Sequence, residues 1–183
     1  MGKILTLHDP RSARAYYLNG VWLQDTMYAL LCKHAGERGD AFAVRDANRR
    51  LTWSELLAET DRVAAGLHAA GLRAGDRVSV WLPSCVEVVS VFLACSRMGY
   101  VCNPSLHEAY TVDEIVQLVQ RIACRALFVQ PGYGVDAAHH DAFDDGLAAY
   151  IKPILFPRHI KPFRTLLEPR LHYIITGPSA KVR

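Results

Sequence analysis

The chain has 183 residues, a length typical of one ordinary domain with an apolar core. Hydrophobic residues make up 51% and charged residues 21%, which excludes a disordered chain, and a formal net charge of +3 is too small to indicate a nucleic acid or membrane partner. The five cysteines are scattered and never spaced as Cys-x-x-Cys, so we expect neither a disulfide framework nor a zinc site, and a reducing cytoplasm is favoured.

The first 25 residues are predicted to be a lead segment with no targeting function. Their apolar stretch, residues 4–7, is too short for a signal peptide. The longest apolar run of the chain, residues 86–95, is interrupted by Glu87 and Ser90 and is too short to cross a bilayer. No membrane-spanning segment is therefore predicted.

The segment from Thr26 to Ala70 predicts a helix, a hairpin and a second helix. A short helix is expected from Thr26 to Leu31, and two strands, residues 41–45 and 49–51, flank the turn 46–48. Thr52 and Glu55 then form a capping box, in which the hydroxyl and the carboxylate each satisfy a free backbone amide. The following helix carries its apolar residues on one face: Leu56, Val63, Leu67 and Ala70.

The same order of elements then repeats. Gly71 and Gly99 are placed to end helices in a left-handed conformation. Strands are predicted at residues 77–82, 100–102 and 126–129, with Val78, Val80 and Leu82 on one side of the first. Two further capping boxes, Ser84 to Glu87 and Thr111 to Glu114, begin helices, of which the second presents one apolar face: Ile115, Leu118, Val119 and Ile122.

Strands that alternate with helices through short connections predict parallel pairing and right-handed crossovers. The fold class expected for residues 26–130 is therefore α/β, a layered, parallel-rich sheet with flanking helices. Trp22, Trp53 and Trp81 are interpreted as packing residues, and Cys95 and Cys102 as core thiols, because no histidine–aspartate pattern accompanies them.

The composition changes after Gln130, and residues 131–183 are predicted to be an irregular tail. Residues 146–183 have a net charge of +6, whereas residues 1–145 have −3, and five of the nine prolines lie in this tail. No long helix is compatible with that proline spacing. Two explanations stay open: an out-of-frame or rearranged ending, which the loss of periodicity favours, or a native extension that packs on the sheet or binds a partner.

Four segments of the middle region resemble, in order, the conserved elements of acyl-CoA synthetases and related AMP-binding, adenylate-forming enzymes. They are Leu51–Leu56 (Leu-Thr-Trp-Ser-Glu-Leu), Gly75–Val78 (Gly-Asp-Arg-Val), Pro83–Ser84 with its following helix, and Ala94–Pro104. The resemblance covers about residues 26–130. It implies the N-terminal domain of such a ligase, with the nearest likeness to ligases of cyclic or fatty carboxylic acids.

The resemblance implies a two-step reaction in the complete enzyme. A small carboxylic acid attacks the α-phosphate of ATP to give an acyl-adenylate, and coenzyme A then displaces AMP, with Mg²⁺ as a further cofactor. The family's phosphate loop, ribose-binding acid and late lysine are not found here. The segment Ile175–Lys181 is short of glycine and hydroxyl residues for a phosphate loop, and its likeness to one is interpreted as coincidence.

We therefore expect a truncated acyl-CoA synthetase that is inactive alone, with no catalytic or metal-binding residue of its own and no known cofactor-binding residue. The alternative is a non-catalytic module that pairs with a separate adenylating subunit. Truncation predicts self-association through exposed sheet surface. A polar cluster that could bind metal is interpreted as a solvated loop, and the basic tail is not expected to bind nucleic acid; the cluster comprises His139, His140, Asp141, Asp144 and Asp145.

Overall fold

Two β-sheets and five α-helices make up the part of the chain that this computed structural model describes: residues 9–105, 108–130 and 132–136, and the backbone of 172–175. The helices are α1 (Pro10–Leu18), α2 (Met27–Arg38), α3 (Trp53–Ala69), α4 (Val86–Met98) and α5 (Val112–Arg121). The strands are β1 (Phe42–Arg45), β2 (Arg50–Thr52), β3 (Arg77–Trp81), β4 (Val101–Ser105), β5 (Ala126–Val129) and β6 (His172–Ile175).

The main sheet has the order β4-β3-β5-β6 and confirms the predicted α/β class. Strand β3 pairs in parallel with both β4 and β5. The predicted hairpin of β1 and β2 is antiparallel and forms a separate two-stranded sheet. Exposed Pro104 removes one backbone donor from the edge strand β4, which weakens that edge as a template for further pairing.

Strand β6 corrects the prediction of a wholly irregular tail. Its backbone pairs antiparallel with β5, with Tyr173 opposite Phe128. The run His172–Ile175 is rich in β-favouring residues and lies between Pro169 and Pro178, so a strand signal was present but was obscured by the surrounding prolines. The other residues of the segment 137–183 lie outside the described part of the chain.

The two faces of the main sheet are covered by different helices. One face packs against α3 and α4 through a core of aliphatic side chains, including Val78, Val80 and Leu82, as the alternation predicted. The other face, with Trp81, packs against α5 and Tyr133. Strands β3 and β5 are almost wholly buried, which is expected for parallel strands covered on both sides.

The exposed large apolar residues of the described part lie outside strands β3, β4 and β5. Seven of the eleven large hydrophobic side chains found exposed in the described residues lie between positions 16 and 27: Tyr16, Tyr17, Leu18, Val21, Trp22, Leu23 and Met27. We call this group the N-terminal apolar surface. Helix α1, which supports it, was not predicted, although Asp9 caps its first amides and Pro10 occupies its first turn. No helix in the described segments is both long and apolar enough to cross a membrane.

Most predicted helix ends are confirmed. Thr52–Glu55 and Thr111–Glu114 both form complete capping boxes. Gly71 and Gly99 have φ values of +94° and +69° and follow the ends of α3 and α4. Helix α2 continues to Arg38, seven residues beyond the predicted Leu31. The predicted Ser84–Glu87 capping box is wrong, because the N-cap of α4 is Cys85, which makes no side-chain capping bond.

Candidate functional site

The carboxyl edge of the parallel strands is the place where a fold of this kind binds ligands. From β3 the chain runs through α4 to β4 on one side, and from β4 through α5 to β5 on the other. The order therefore reverses between β3 and β5. Because ligands of open α/β sheets lie outside the strand ends at such a reversal, residues 82–85, Gln130 and residues 132–134 are the candidate site.

Aromatic side chains fill the edge between β3 and β5. The rings of Trp81 and Tyr133 lie 5.6 Å apart at 60°, and Trp81 is completely buried. Gly134 has φ +121°, and a Cβ atom there would lie 2.8 Å from the Trp81 ring. Burial, together with the negative charge of Glu108, raises the pKa of the Tyr133 phenol. Tyr133 and Gly134 are packed onto Trp81, so residues 132–134 do not form an open cradle for a phosphate.

The N-terminus of α4 opens at the same edge but already holds a carboxylate of the chain. The Asp46 Oδ2 atom accepts a hydrogen bond of 2.9 Å from the backbone N–H of Val86. Burial acts to raise the pKa of Asp46, but hydrogen bonds from Val86, Asn48 and Arg49 outweigh it, so the pKa lies below its ordinary value. Helix N-termini in nucleotide-binding folds often hold a phosphate, whereas here the hairpin turn supplies the anion.

Glu87 does not reach back to cap α4 because it pairs with a residue of the hairpin. The Arg49 guanidinium binds both Glu87 of α4 and Glu59 of α3, whose side chains are 8% and 3% exposed. Ser90 donates a hydrogen bond of 3.1 Å to Glu59, and Arg62 lies 3.7 Å from the same carboxylate. We call Arg49, Glu59 and Glu87 the buried ionic cluster. The single guanidinium pairs with both carboxylates, so the cluster fastens the hairpin to two helices.

Sequence reasoning missed this cluster because its members are 10 and 38 residues apart and form no local pattern. The only sequence signal is the apolar context of Glu59 and Glu87, since acidic residues on a predicted core face need partners.

Cys85 lies directly before α4, and a thiol at a helix N-terminus often has a lowered pKa and is reactive. Burial instead raises the pKa of Cys85 to about 11, and the neighbouring Glu87 carboxylate adds to the effect. The thiol is therefore protonated at neutral pH and is a poor nucleophile.

The structure also places the other residues that the sequence analysis singled out. Thr52 and Glu55 act as a helix cap, and Trp81 and Cys95 are buried as expected. Trp53 contacts the His34 ring, whereas Trp22 is 41% exposed beside Tyr16 and Tyr17. The histidine–aspartate cluster 139–145 and residues 176–181 of the phosphate-loop candidate lie outside the described part of the chain. Within that part, no group of three metal-ligating side chains is present.

Comparison with a family model and comparison with individual proteins point to the same family. Residues 31–159 match the family model described as AMP-binding enzyme. The chain is 32% identical over 131 residues to the acetoacetyl-coenzyme A synthetase of Rhizobium meliloti (68% of this chain and 19% of that protein). It is 38% identical over 85 residues to acyl-CoA ligase sidI of Aspergillus fumigatus (46% of this chain and 14% of that protein).

A solved structure gives the same result for the fold. The apo structure of Mycobacterium smegmatis MbtA superimposes with a TM-score of 0.58 at 31% identity, over 67% of this chain and 23% of that one. The chain thus spans less than a quarter of the length of each of these relatives.

Proposed function

This chain belongs to the AMP-binding enzyme family, and from that premise we propose that it forms part of the N-terminal domain of an acyl-CoA ligase and does not catalyse carboxylate activation by itself. Complete acyl-CoA ligases of the family join a carboxylic acid to coenzyme A through an acyl-adenylate, with ATP and Mg²⁺. The observation that carries the proposal is the carboxyl edge of the sheet, where Asp46 occupies the α4 N-terminus and Trp81 and Tyr133 fill the strand ends.

The described residues at this edge are not arranged to bind a nucleoside triphosphate. An adenylating site needs backbone amides or cations directed at phosphates and a group that stabilises the charge of the transition state. At this edge the α4 amide of Val86 is already bonded to a carboxylate, and Arg49 is held between Glu59 and Glu87. The Val86 amide and the Arg49 guanidinium are thus already bonded within the chain, which supports a scaffolding role for this segment.

Exchange of pyrophosphate into ATP tests the proposal directly. The purified chain is incubated with ATP, Mg²⁺, labelled pyrophosphate and a panel of cyclic, aromatic and fatty carboxylic acids. The acetoacetyl-coenzyme A synthetase of R. meliloti with acetoacetate serves as the positive control. We expect no exchange above the background without acid. Acid-dependent exchange by this chain would overturn the proposal.

A second candidate function is a non-catalytic module that pairs with a separate adenylating subunit. The N-terminal apolar surface favours it, because monomeric soluble proteins rarely expose so many neighbouring large apolar side chains. Co-expression with the R. meliloti enzyme lacking its matched N-terminal segment tests this candidate. Recovery of exchange activity that requires both polypeptides would support it, and activity no higher than that of the shortened enzyme alone would count against it.

Self-association is a further part of the proposal, but we expect it at a different surface from the exposed sheet surface that the sequence predicted. We infer that the N-terminal apolar surface mediates it, since β3 and β5 are covered on both faces. Sedimentation velocity of the chain and of a Trp22→Ser variant distinguishes the two surfaces, because only contact through the N-terminal surface is weakened by that substitution. The five free thiols are the support for a reducing cytoplasm as the proposed location.

A further inference from the structure

Two arginines occupy neighbouring positions at the amino ends of the central strands, at the opposite end of the sheet from the candidate site. Arg77 is the first residue of β3, and Arg125 directly precedes β5. The backbone N–H of Arg125 donates a hydrogen bond of 2.7 Å to the Arg77 carbonyl, and the next residues, Val78 and Ala126, are paired. Because paired strands lie about 4.8 Å apart, the two side chains start from adjacent points of the sheet.

Both arginines belong to the face of the sheet that α5 covers. Side chains alternate along a strand, and Trp81 and Leu127 pack on the α5 side at even spacings from Arg77 and Arg125. Asp76, the acid next to Arg77 in the chain, is engaged elsewhere, since its carboxylate accepts a hydrogen bond of 2.7 Å from the Arg73 backbone N–H. The two positive charges therefore share one face without the nearest acid.

Neither guanidinium has an acidic partner among the described residues. The salt bridges of arginines in that part of the chain are formed by Arg49, Arg62 and Arg97. The Nε atom of Arg125 is buried and has no hydrogen-bond acceptor there. Arg77 and Arg125 are both half-buried. Like charges on neighbouring strands repel each other, and a buried donor without an acceptor costs free energy, so this place lacks an anion.

We propose that Arg77 and Arg125 bind the phosphate group of a small molecule. A guanidinium donates two parallel hydrogen bonds to phosphate oxygens, and a dianion between the two arginines would offset their repulsion and give the buried Nε–H an acceptor. Arg121, exposed in the last turn of α5, adds positive charge four residues before Arg125. The ligand is free phosphate or a phosphate monoester, which present the same terminal group, and this inference does not depend on the proposed function.

Isothermal titration calorimetry of the whole chain tests the proposal. Inorganic phosphate and glycerol 3-phosphate are titrated separately in chloride buffer at constant ionic strength. We expect saturable binding of one phosphate group per chain; binding of the ester as well would show that the site accepts a monoester. Arg77→Gln and Arg125→Gln should each weaken binding by at least about tenfold, the size expected for the loss of a charge-assisted hydrogen bond.

Arg45→Gln is the matched control for the calorimetry. Arg45 is an exposed arginine of β1 in the other sheet, so its substitution changes the net charge equally but leaves the proposed site intact. Its effect on affinity should be less than about twofold, because exposed charges far from a ligand are screened. Absence of saturable binding for both probes, or an equal loss of affinity in Arg45→Gln, would overturn the proposal.

Thermal unfolding separates a binding role from a purely structural one. In chloride buffer Arg125→Gln should unfold at the same temperature as the parent chain or at a higher one, because the repulsion with Arg77 is relieved. Phosphate should raise the midpoint of the parent chain more than that of the variant, since only the parent gains binding free energy. A variant that is less stable in chloride and gains as much from phosphate as the parent contradicts the proposal.

Discussion

The N-termini of α3 and α5 differ from the N-terminus of α4. The first two are closed by residues three positions apart, Thr52 with Glu55 and Thr111 with Glu114. The third has an acidic residue at the corresponding position, yet Asp46, forty residues earlier, bonds its first amide, and Glu87 binds Arg49 instead.

A local capping pattern therefore decides the hydrogen bonding only where its residues have no stronger partner. Glu55 and Glu114 lie near solvent, and their carboxylates accept hydrogen bonds from the backbone N–H groups of the capping threonines. The Glu87 side chain is 8% exposed, and a buried carboxylate requires a compensating charge, which the hairpin provides. The α4 end therefore depends on the docking of the hairpin.

The largest expected effect comes from removing the cation of the buried ionic cluster. Arg49→Met leaves Glu59 and Glu87 without their main partner and should lower the free energy of unfolding by about 3–5 kcal/mol. Urea denaturation measures it. Arg62→Met is the matched control. The Arg62 side chain is 55% exposed and lies 3.7 Å from Glu59, farther than Arg49, so its loss should cost less than about 0.5 kcal/mol. Equal effects would show that the cluster does not fasten the hairpin.

A substitution in the aromatic loop tests another contact between distant residues. Gly134→Ala forces a positive φ on alanine and places Cβ 2.8 Å from Trp81, so the expected loss is about 2–4 kcal/mol. Gly132→Ala is the control, since Gly132 also has positive φ (+68°) but nothing within 4 Å of the added Cβ. Thermal unfolding of the two variants should differ; identical midpoints would contradict the close packing on Trp81.

Removal of the remote cap should have an intermediate effect. Asp46→Ala removes the acceptor for Val86 and for the turn amides of Asn48 and Arg49, at a cost of about 1–2 kcal/mol. Urea denaturation at neutral pH measures the loss. A variant as stable as the parent chain would show that α4 needs no cap from the hairpin.

The Asp46 carboxylate also predicts a pH dependence. Its folded-state pKa lies below the ordinary value of 3.8, so its stabilisation is complete above that value and is lost as the pH falls through the folded-state pKa. Asp46→Asn should therefore weaken the acid-induced loss of stability below about pH 4. Denaturation series from pH 3 to pH 7 compare the two chains; parallel curves would exclude Asp46 as a source of the acid sensitivity.

The smallest effects are expected at the local caps. Thr52→Ala and Thr111→Ala each remove one hydroxyl acceptor, and each should cost about 1 kcal/mol. The same loss should appear in a background with Arg49→Met, because neither cap belongs to the ionic cluster. Strong non-additivity in a double-mutant cycle would show that the local caps depend on the hairpin after all.

Much of the fold could be predicted from periodicity and turn residues. Strand β5 was predicted with its observed bounds, and the helix after Thr52 begins where the capping box placed it. Helix α1 and strand β6 were missed because a nine-residue helix and a four-residue strand carry little periodic signal. The aromatic filling of the carboxyl edge was also missed, since Trp81 and Tyr133 are 52 residues apart.

The α/β class, the caps of α3 and α5, and the likeness to AMP-binding enzymes could all be predicted from the amino-acid sequence, because each depends on residues close together in the chain. Which anion closes α4 and which cation binds Glu59 and Glu87 depend on the folded arrangement of the hairpin and the helices. Buried charges take their partners from the nearest packed element, and packing brings together residues that no short pattern connects.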